Sequence, residues 1–290
     1  ELKYAFVEDH SIEFPIVVMC RVIEVSTSGF YDWRSRPLSG AGERKMNLMK
    51  ILESVFENSK RRYGAPRMTK ALNNLGHRVT RSTVSRWMKE ANLIAKTKRK
   101  FRVVTTDSSH KMPIAENVLN RNFNPEKPGA VLASDITYIP THEGWLYLAI
   151  TLDLFSRRVV GWSMNATMTE ELVTSALTMA LGRSKLAVGA IHHSDRGSQY
   201  AAKGFQTILA YNKITTSMSR KGNCWDNSPT ESFFHSLKTE LVYFENYQTR
   251  EEAKKSIFEY IEVFYNRERL HSTINYKSPV DFETEYAQCA

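Results

Sequence analysis

Apolar residues recur at helical spacing through the first third of the chain and change to strand-like runs near residue 130. Between Phe14 and Val22 the chain is apolar, and Pro15 suits a helix start. Val25 to Gly29 reads as a turn carrying capping hydroxyls, followed by Phe30, Tyr31 and Trp33. Residues 12–36 therefore predict two short helical pieces. They fit a small helix-turn-helix, and equally a helical hairpin that packs on its neighbour. Pro37 to Gly42 reads as a linker. From Met46 to Glu57 the positions Leu48, Ile51, Leu52, Val55 and Phe56 define one helix face. Tyr63 to Arg67 opens a second helix, with Met68, Leu72 and Leu75 on one side and Gly76 at its end. Thr80 caps a third, turning Val84, Trp87 and Met88 inward and Arg81, Ser82, Thr83, Ser85 and Arg86 outward. Helix, glycine turn and short polar helix is the plan of a DNA-reading helix-turn-helix. Three-helix packing units without a DNA role share it.

The second pattern begins at Gly129. Val131 to Ile139, Trp145 to Leu154 and Val159 to Met164 predict three successive strands, the first two joined at His142-Glu143-Gly144. Thr169 to Leu181 is helical by spacing, Ala187 to Ile191 a fourth strand, Lys203 to Tyr211 a helix and Ile214 to Met218 a fifth strand. Arg250 to Leu270 reads as one long amphipathic helix with Ala253, Ile257, Tyr260, Ile261, Phe264 and Tyr265 inward. Arg267, Arg269 and His271 at its end could contact DNA or a second subunit. Strand order is not legible from the sequence.

Composition narrows the class. At 42% hydrophobic and 24% charged, the chain has an ordinary globular balance. No apolar run approaches the roughly 20 residues needed to cross a membrane. Cys20, Cys224 and Cys289 are odd in number and far apart, which argues against a disulfide framework and for a reducing cytoplasm. They cannot form a Cys-Cys zinc knuckle, and His192, His193 and Cys224 lack metal-ligand spacing. The net charge of +9 is uneven: residues 1–102 hold 21 Lys or Arg against 10 Asp or Glu, the remainder 19 against 21. The basic first third is where attraction to nucleic acid is expected. Within Lys96 to Arg102 five of seven residues are basic, and Lys98, Arg99 and Lys100 are candidate phosphate contacts. Thr105 to Pro128 reads as an extended polar connector.

Three acids carry the candidate chemistry. Asp135 lies within the first strand, in Ser134-Asp135-Ile136-Thr137-Tyr138-Ile139. Asp195 follows the fourth strand, in His193-Ser194-Asp195-Arg196-Gly197-Ser198-Gln199-Tyr200. Glu231 falls in the first turn of a helix, in Asp226-Asn227-Ser228-Pro229-Thr230-Glu231. There Ser228 suits the N-cap, Pro229 the first helical position and Glu231 the closure of a capping box. Fifty-nine residues separate the aspartates and 35 separate Asp195 from Glu231. On the helix Glu231, His235 and Lys238 share one side, and Phe233, Phe234, Leu237 and Leu241 another. Carboxylates gathered without cations repel, but they suit hard divalent ions such as magnesium or manganese. Two such ions can drive in-line phosphoryl displacement. Asp153, at a strand end, reads as a turn residue paired with Arg157 or Arg158. Asp226, the rival third acid, lacks the 35-residue spacing. The loop Ser219 to Asn227 mixes glycine, basic residues and Trp225, which either stacks on DNA or tucks onto the core.

This pattern of two aspartates, a 35-residue gap, a glutamate and Lys238 seven residues on resembles the retroviral-type integrase core. The three segments around the acids resemble, more closely, the orfB-type transposases of the third insertion-sequence family of bacteria, over nearly the whole chain. The resemblance implies an α/β ribonuclease H-like mixed sheet with flanking helices, preceded by an all-α helix-turn-helix region. It implies Asp135, Asp195 and Glu231 as catalytic metal ligands for two Mg2+ ions (with Mn2+ as a substitute) and Lys238 as a donor-DNA contact. Expected partners are double-stranded DNA (element ends and target), further copies of the chain and a first-frame protein. The expected site of action is the bacterial cytoplasm, at the nucleoid, with no membrane involved. The expected organisation is a small helical region (1–40), a helix-turn-helix domain (41–95), a basic linker (96–124) and the catalytic core with its C-terminal helix (125–290). The chain opens on Glu1 rather than Met, as either a trimmed chain or the downstream part of a longer frameshifted product would. The expected function is transposase, cleaving and joining DNA. The alternative is a catalytically silent DNA-binding regulator.

Overall fold

The computed structural model describes residues 2–37, 39–96 and 112–289. Lys98, Arg99 and Lys100 lie outside them.

Three short helices open the chain: α1 (Leu2–Asp9), α2 (Ile16–Val22) and α3 (Thr27–Ser35). They enclose their own small core of Val7, Met19, Cys20 and Phe30. Ser26 caps α3 by accepting from the Gly29 amide at 3.2 Å. The sequence pattern predicts α2 and α3 but not α1. Next come α4 (Gly40–Asn58), α5 (Ala65–Asn74) and α6 (Arg81–Glu90). Ser39 caps α4, so residues 40–42 are helical, not linker. Gly76 (φ +87°) turns the chain after α5, and the Thr80 hydroxyl accepts from Thr83 N at 3.3 Å to start α6.

The sheet has the order β3-β2-β1-β4-β5. Strands β1 (Val131–Thr141), β2 (Gly144–Asp153) and β3 (Val159–Asn165) are antiparallel neighbours. Strand β4 (Ile191–Ser194) joins β1 in parallel, and β5 (Thr215–Met218) joins β4 in parallel. The fourth strand is thus displaced from the expected 187–191. Gly189 takes φ +76° and Val188 is fully exposed, so residues 187–190 form the turn and the strand continues through His192, His193 and Ser194.

On one face lie α7 (Glu170–Arg183), α8 (Ser198–Ala201) and α9 (Lys203–Tyr211), joined in a core of Leu172, Val173, Leu177, Tyr200, Phe205 and Leu209. Gly161 lets α7 approach β3: a Cβ there would stand 2.1 Å from the Ala176 carbonyl. On the other face lie α10 (Ser228–Glu240) and α11 (Arg250–Phe258). From Glu259 to Glu268 the winding continues as a π-helix, so the long C-terminal helix changes pitch midway. A last helix, α12 (Pro279–Cys289), docks through Phe282 and Tyr286 against Phe155, and Arg158 pairs with Glu283 at 2.7 Å.

The helices α4–α6 share one apolar cluster with α10, α11 and the π-helical segment: Leu52, Phe56, Met68 and Leu72 join Phe233, Leu237, Tyr260 and Phe264. At this seam Glu240 is buried. Its carboxylate accepts from Arg269 Nη2 at 2.7 Å, Tyr260 Oη at 2.9 Å and Arg67 Nη1 at 3.3 Å. Arg67 Nε also donates to the Leu270 carbonyl at 2.9 Å, and Tyr63 Oη to that of Glu268 at 2.8 Å. Burial alone would raise the Glu240 carboxyl. Arg269 and Arg67 outweigh it and hold the group below its ordinary value. Arg269 is therefore a buried structural cation, not the surface contact expected of it, whereas Arg267 is exposed.

Candidate active site

Parallel pairing brings the two aspartates together. Ala133 pairs with His193 across β1 and β4, and the same register two residues on sets Asp135 level with Asp195. Both are half-buried. Asp135 Oδ1 accepts from the Ile136 amide at 2.8 Å, and its Oδ2 lies 3.4 Å from Thr230 Oγ1. Asp195 Oδ1 accepts from Gly197 N at 2.9 Å. A Cβ on Gly197 would stand 3.0 Å from that oxygen, so the glycine keeps the approach open.

Helix α10 supplies the third acid. Its entry differs from the expected capping box. A 3-10 turn, Cys224–Asn227, runs straight into the helix, which puts Asn227 rather than Ser228 at the N-cap, without a side-chain cap bond. Glu231 then falls beyond the third helical position and has no box to close. Its side is exposed, as are Glu231 and His235 themselves, while Phe233, Phe234 and Leu237 are buried against the core. Asn227 Nδ2 reaches the Ser134 carbonyl at 3.4 Å, tying the helix start to the strand beside Asp135.

The electrostatics couple the three acids. Burial, then the charge of Asp195, then that of Glu231, push the Asp135 carboxyl well above its ordinary value, against the Ile136 amide and the Thr230 hydroxyl. Lys238 is half-buried with Nζ 5.0 Å from the centre of the Tyr138 ring. Burial lowers its pKa, and Asp135 pulls it back up. An all-oxygen set whose charges oppose one another suits a hard divalent cation, which would supply the missing positive charge. Among the described residues no group of three or more His, Cys, Asp or Glu side chains is placed so that it could hold a metal ion as it stands.

The rival groups have other work. Asp226 is fully buried and accepts from Arg121 Nε at 2.7 Å, from Arg220 Nε, Nη2 and N at 2.9 Å each, and from Asn117 Nδ2 at 2.9 Å. The Arg220 hydrogen bonds foremost hold its carboxyl well below the usual range, against the effect of burial. Part of the expected free connector, Asn117 and Arg121, is thereby docked on the core. Asp153 accepts from the amides of Gly129 (2.6 Å), Phe155 (2.8 Å) and Ser156 (3.1 Å), a turn role as expected. The expected ion pair is absent among its hydrogen bonds: Arg157 Nη2 donates to the Phe123 carbonyl, and Arg158 pairs with Glu283. His193 bridges Ser217 and Ser219, and His192 Nε2 meets Ser134 Oγ at 2.8 Å. Burial lowers their pKa values to about 4 and about 3, so both are neutral sheet residues. Trp225 is 69% exposed and is not tucked onto the core.

Sequence reasoning missed Thr230, Asn227 and Tyr200 as neighbours of the acids. All three lie within five residues of Asp195 or Glu231, so proximity to those acids was the available signal. On α6, Arg81, Ser82, Ser85 and Arg86 are exposed and Thr83 half-buried, with Val84, Trp87 and Met88 buried as expected.

The mixed five-stranded sheet with helices on both faces is that of an integrase core, the fold of DNA polynucleotidyl transferases. The family description "Integrase core domain" matches residues 125–224 and again 231–286, and "HTH-like domain" matches 43–101. The chain is 43% identical, over 98% of its length and 99% of the relative's, to the transposase InsF for insertion sequence IS3A of Escherichia coli (strain K12). It is also 43% identical to the insertion element IS600 uncharacterized 31 kDa protein of Shigella sonnei, over 94% of this chain and all of that one. A solved HTLV-2 integrase catalytic core domain in complex with magnesium is 16% identical, with a TM-score of 0.42 over 55% of this chain and 99% of its own. The chain belongs to the IS3 family of insertion-sequence transposases. It is a DNA-binding transposase, and cores of its family depend on divalent metal ions. Among the described residues no helix is long and apolar enough to cross a membrane.

Proposed function

We propose that Asp135, Asp195 and Glu231 are the catalytic carboxylates and hold two Mg2+ ions, with Mn2+ able to replace them. The single observation that carries this is geometric: the β1–β4 register brings Asp135 beside the end of the strand that leads to Asp195, and Thr230, next to Glu231 on α10, reaches Asp135 Oδ2 at 3.4 Å. When bound, the ions supply Lewis-acid charge for in-line phosphodiester displacement, first by water and then by a freed 3′-hydroxyl. The chain's own residues orient the ligands. The Ile136 amide fixes one oxygen of Asp135, the Gly197 amide one oxygen of Asp195, and Thr230 and Asn227 lock the start of α10 onto β1. No covalent protein–DNA intermediate is required, and no serine or tyrosine nucleophile.

Lys238, beside Asp135 on the same side of α10 as Glu231, contacts the donor end. Trp225 offers an exposed aromatic face for base stacking ahead of that helix. Arg81, Ser82, Thr83, Ser85 and Arg86 on α6 read the element end, and Lys98, Arg99 and Lys100 add phosphate contacts. The working limits are 1–40, 41–95, 96–124 and 125–290. The chain acts at the nucleoid as a multimer that holds two ends, with a first-frame protein as a further partner.

The test is Glu231→Gln. Cleavage of a duplex carrying the element end falls by at least about a thousandfold, while binding to that duplex is unchanged. Retained cleavage contradicts the assignment.

A further inference from the structure

Tyr200 is 1% exposed, and among the described residues its buried hydroxyl has no hydrogen-bond partner. Buried tyrosine hydroxyls almost always find an acceptor, because an unmade bond costs stability. The ring itself is well housed. It meets Phe205 edge-on at 5.3 Å, with the His192 ring 6.3 Å away. The backbone is equally fixed: Tyr200 N donates to the Gly197 carbonyl at 3.0 Å, and Gln206 Nε2 to the Tyr200 carbonyl at 2.7 Å. A Cβ on Gly197 would touch both the Tyr200 ring (3.7 Å) and Asp195 Oδ1 (3.0 Å), so ring and carboxylate are neighbours across that glycine. The charges of Asp135 and Asp195 both act on the hydroxyl. Two other unpartnered buried atoms, His192 Nδ1 and Asn227 Oδ1, belong to residues bonded to Ser134, next to Asp135. The remaining two such atoms among the described residues, Glu8 Oε2 and Arg158 Nε, belong to other parts of the chain.

We propose that the Tyr200 hydroxyl is a positioning donor for the Asp135–Asp195 pair, hydrogen-bonded to one of these carboxylates when they hold a divalent cation. The inference rests on the reading that these acids hold metal. A donor of this kind orients a ligand oxygen without touching the DNA, and removing it weakens the cation's hold.

Tyr200→Phe removes only the oxygen and keeps the ring packing. Thermal unfolding of the full chain in EDTA and Mn2+ binding followed by paramagnetic resonance test it, beside the parent and Asp195→Asn. The expected result has two parts. The variant melts at or above the parent's temperature without metal, and its Mn2+ affinity falls about tenfold. Unchanged Mn2+ affinity overturns the proposal alone, provided the parent binds more Mn2+ than Asp195→Asn does. A lower melting temperature in EDTA overturns it as well, because the hydroxyl would then have a structural partner. A parent that binds no more Mn2+ than Asp195→Asn removes both the proposal and the reading beneath it.

Discussion

Asp135 on β1 and Asp195, one residue past the end of the parallel neighbour β4, each lie two residues beyond the paired Ala133 and His193. Burial first, and then the like charge of Asp195, opposes ionisation, so the Asp135 carboxyl titrates well above its ordinary value. The sheet thus aligns two acids at a cost in stability.

That cost has a sign and a pH window. A carboxyl whose folded pKa is raised binds more protons folded than unfolded, so stability falls as pH rises from the unfolded value, about 3.9, through the folded one. Asp135→Asn is therefore expected to raise the metal-free melting temperature at pH 7, by about 2–4 °C. The gain vanishes near about pH 3.5, where the parent carboxyl is protonated in both states. Thermal scans in EDTA at the two pH values check this. A variant less stable than the parent at pH 7 contradicts it.

The seam between α4–α6 and the core makes a separate prediction. Glu240 neutralises Arg269, itself buried, and accepts from Arg67 and Tyr260. Glu240→Ala leaves Arg269 uncompensated, and such a break costs about 3–5 kcal/mol. Urea unfolding should show a loss of that size. A change within about 0.5 kcal/mol would mean that the cluster adds nothing at this seam.

Exposed Arg81 and Arg86 on α6 are expected to carry DNA charge contacts. Replacing both with alanine should weaken end binding and lower the slope of log affinity against log salt by about 2. Circular dichroism should stay that of the parent, since Val84, Trp87 and Met88 hold the helix. An unchanged salt slope removes these residues from the interface.

Much of the fold is legible in the sequence. Periodicity locates α4, α5, α6, α7, α9 and the strands β1, β2, β3 and β5, since each carries a marked apolar face. Thr80 and Gly76 act as expected. Three kinds of feature are not legible. Short elements that depend on distant partners carry weak local signals, as with α12, fixed by Phe282 and Tyr286 on Phe155. Boundaries shift where backbone geometry outweighs residue preference: Gly189 delays β4, and the 3-10 turn moves the α10 cap from Ser228 to Asn227. Charged residues give no sign of burial, so Arg269 reads as a surface group although Glu240, 29 positions away, draws it inside. The acids are proposed as a set on their spacing. Their alignment is not legible, because it depends on strand order and on the β1–β4 register.

The central claim is that the carboxylates carry the chemistry, and one comparison tests it most directly. Parent and Asp195→Asn are incubated with Mg2+ or Mn2+ and a supercoiled plasmid bearing the two ends of the element. Nicking and end joining by the parent alone are predicted, with both proteins binding the ends equally at matched salt. Equal nicking and joining by Asp195→Asn would contradict the claim.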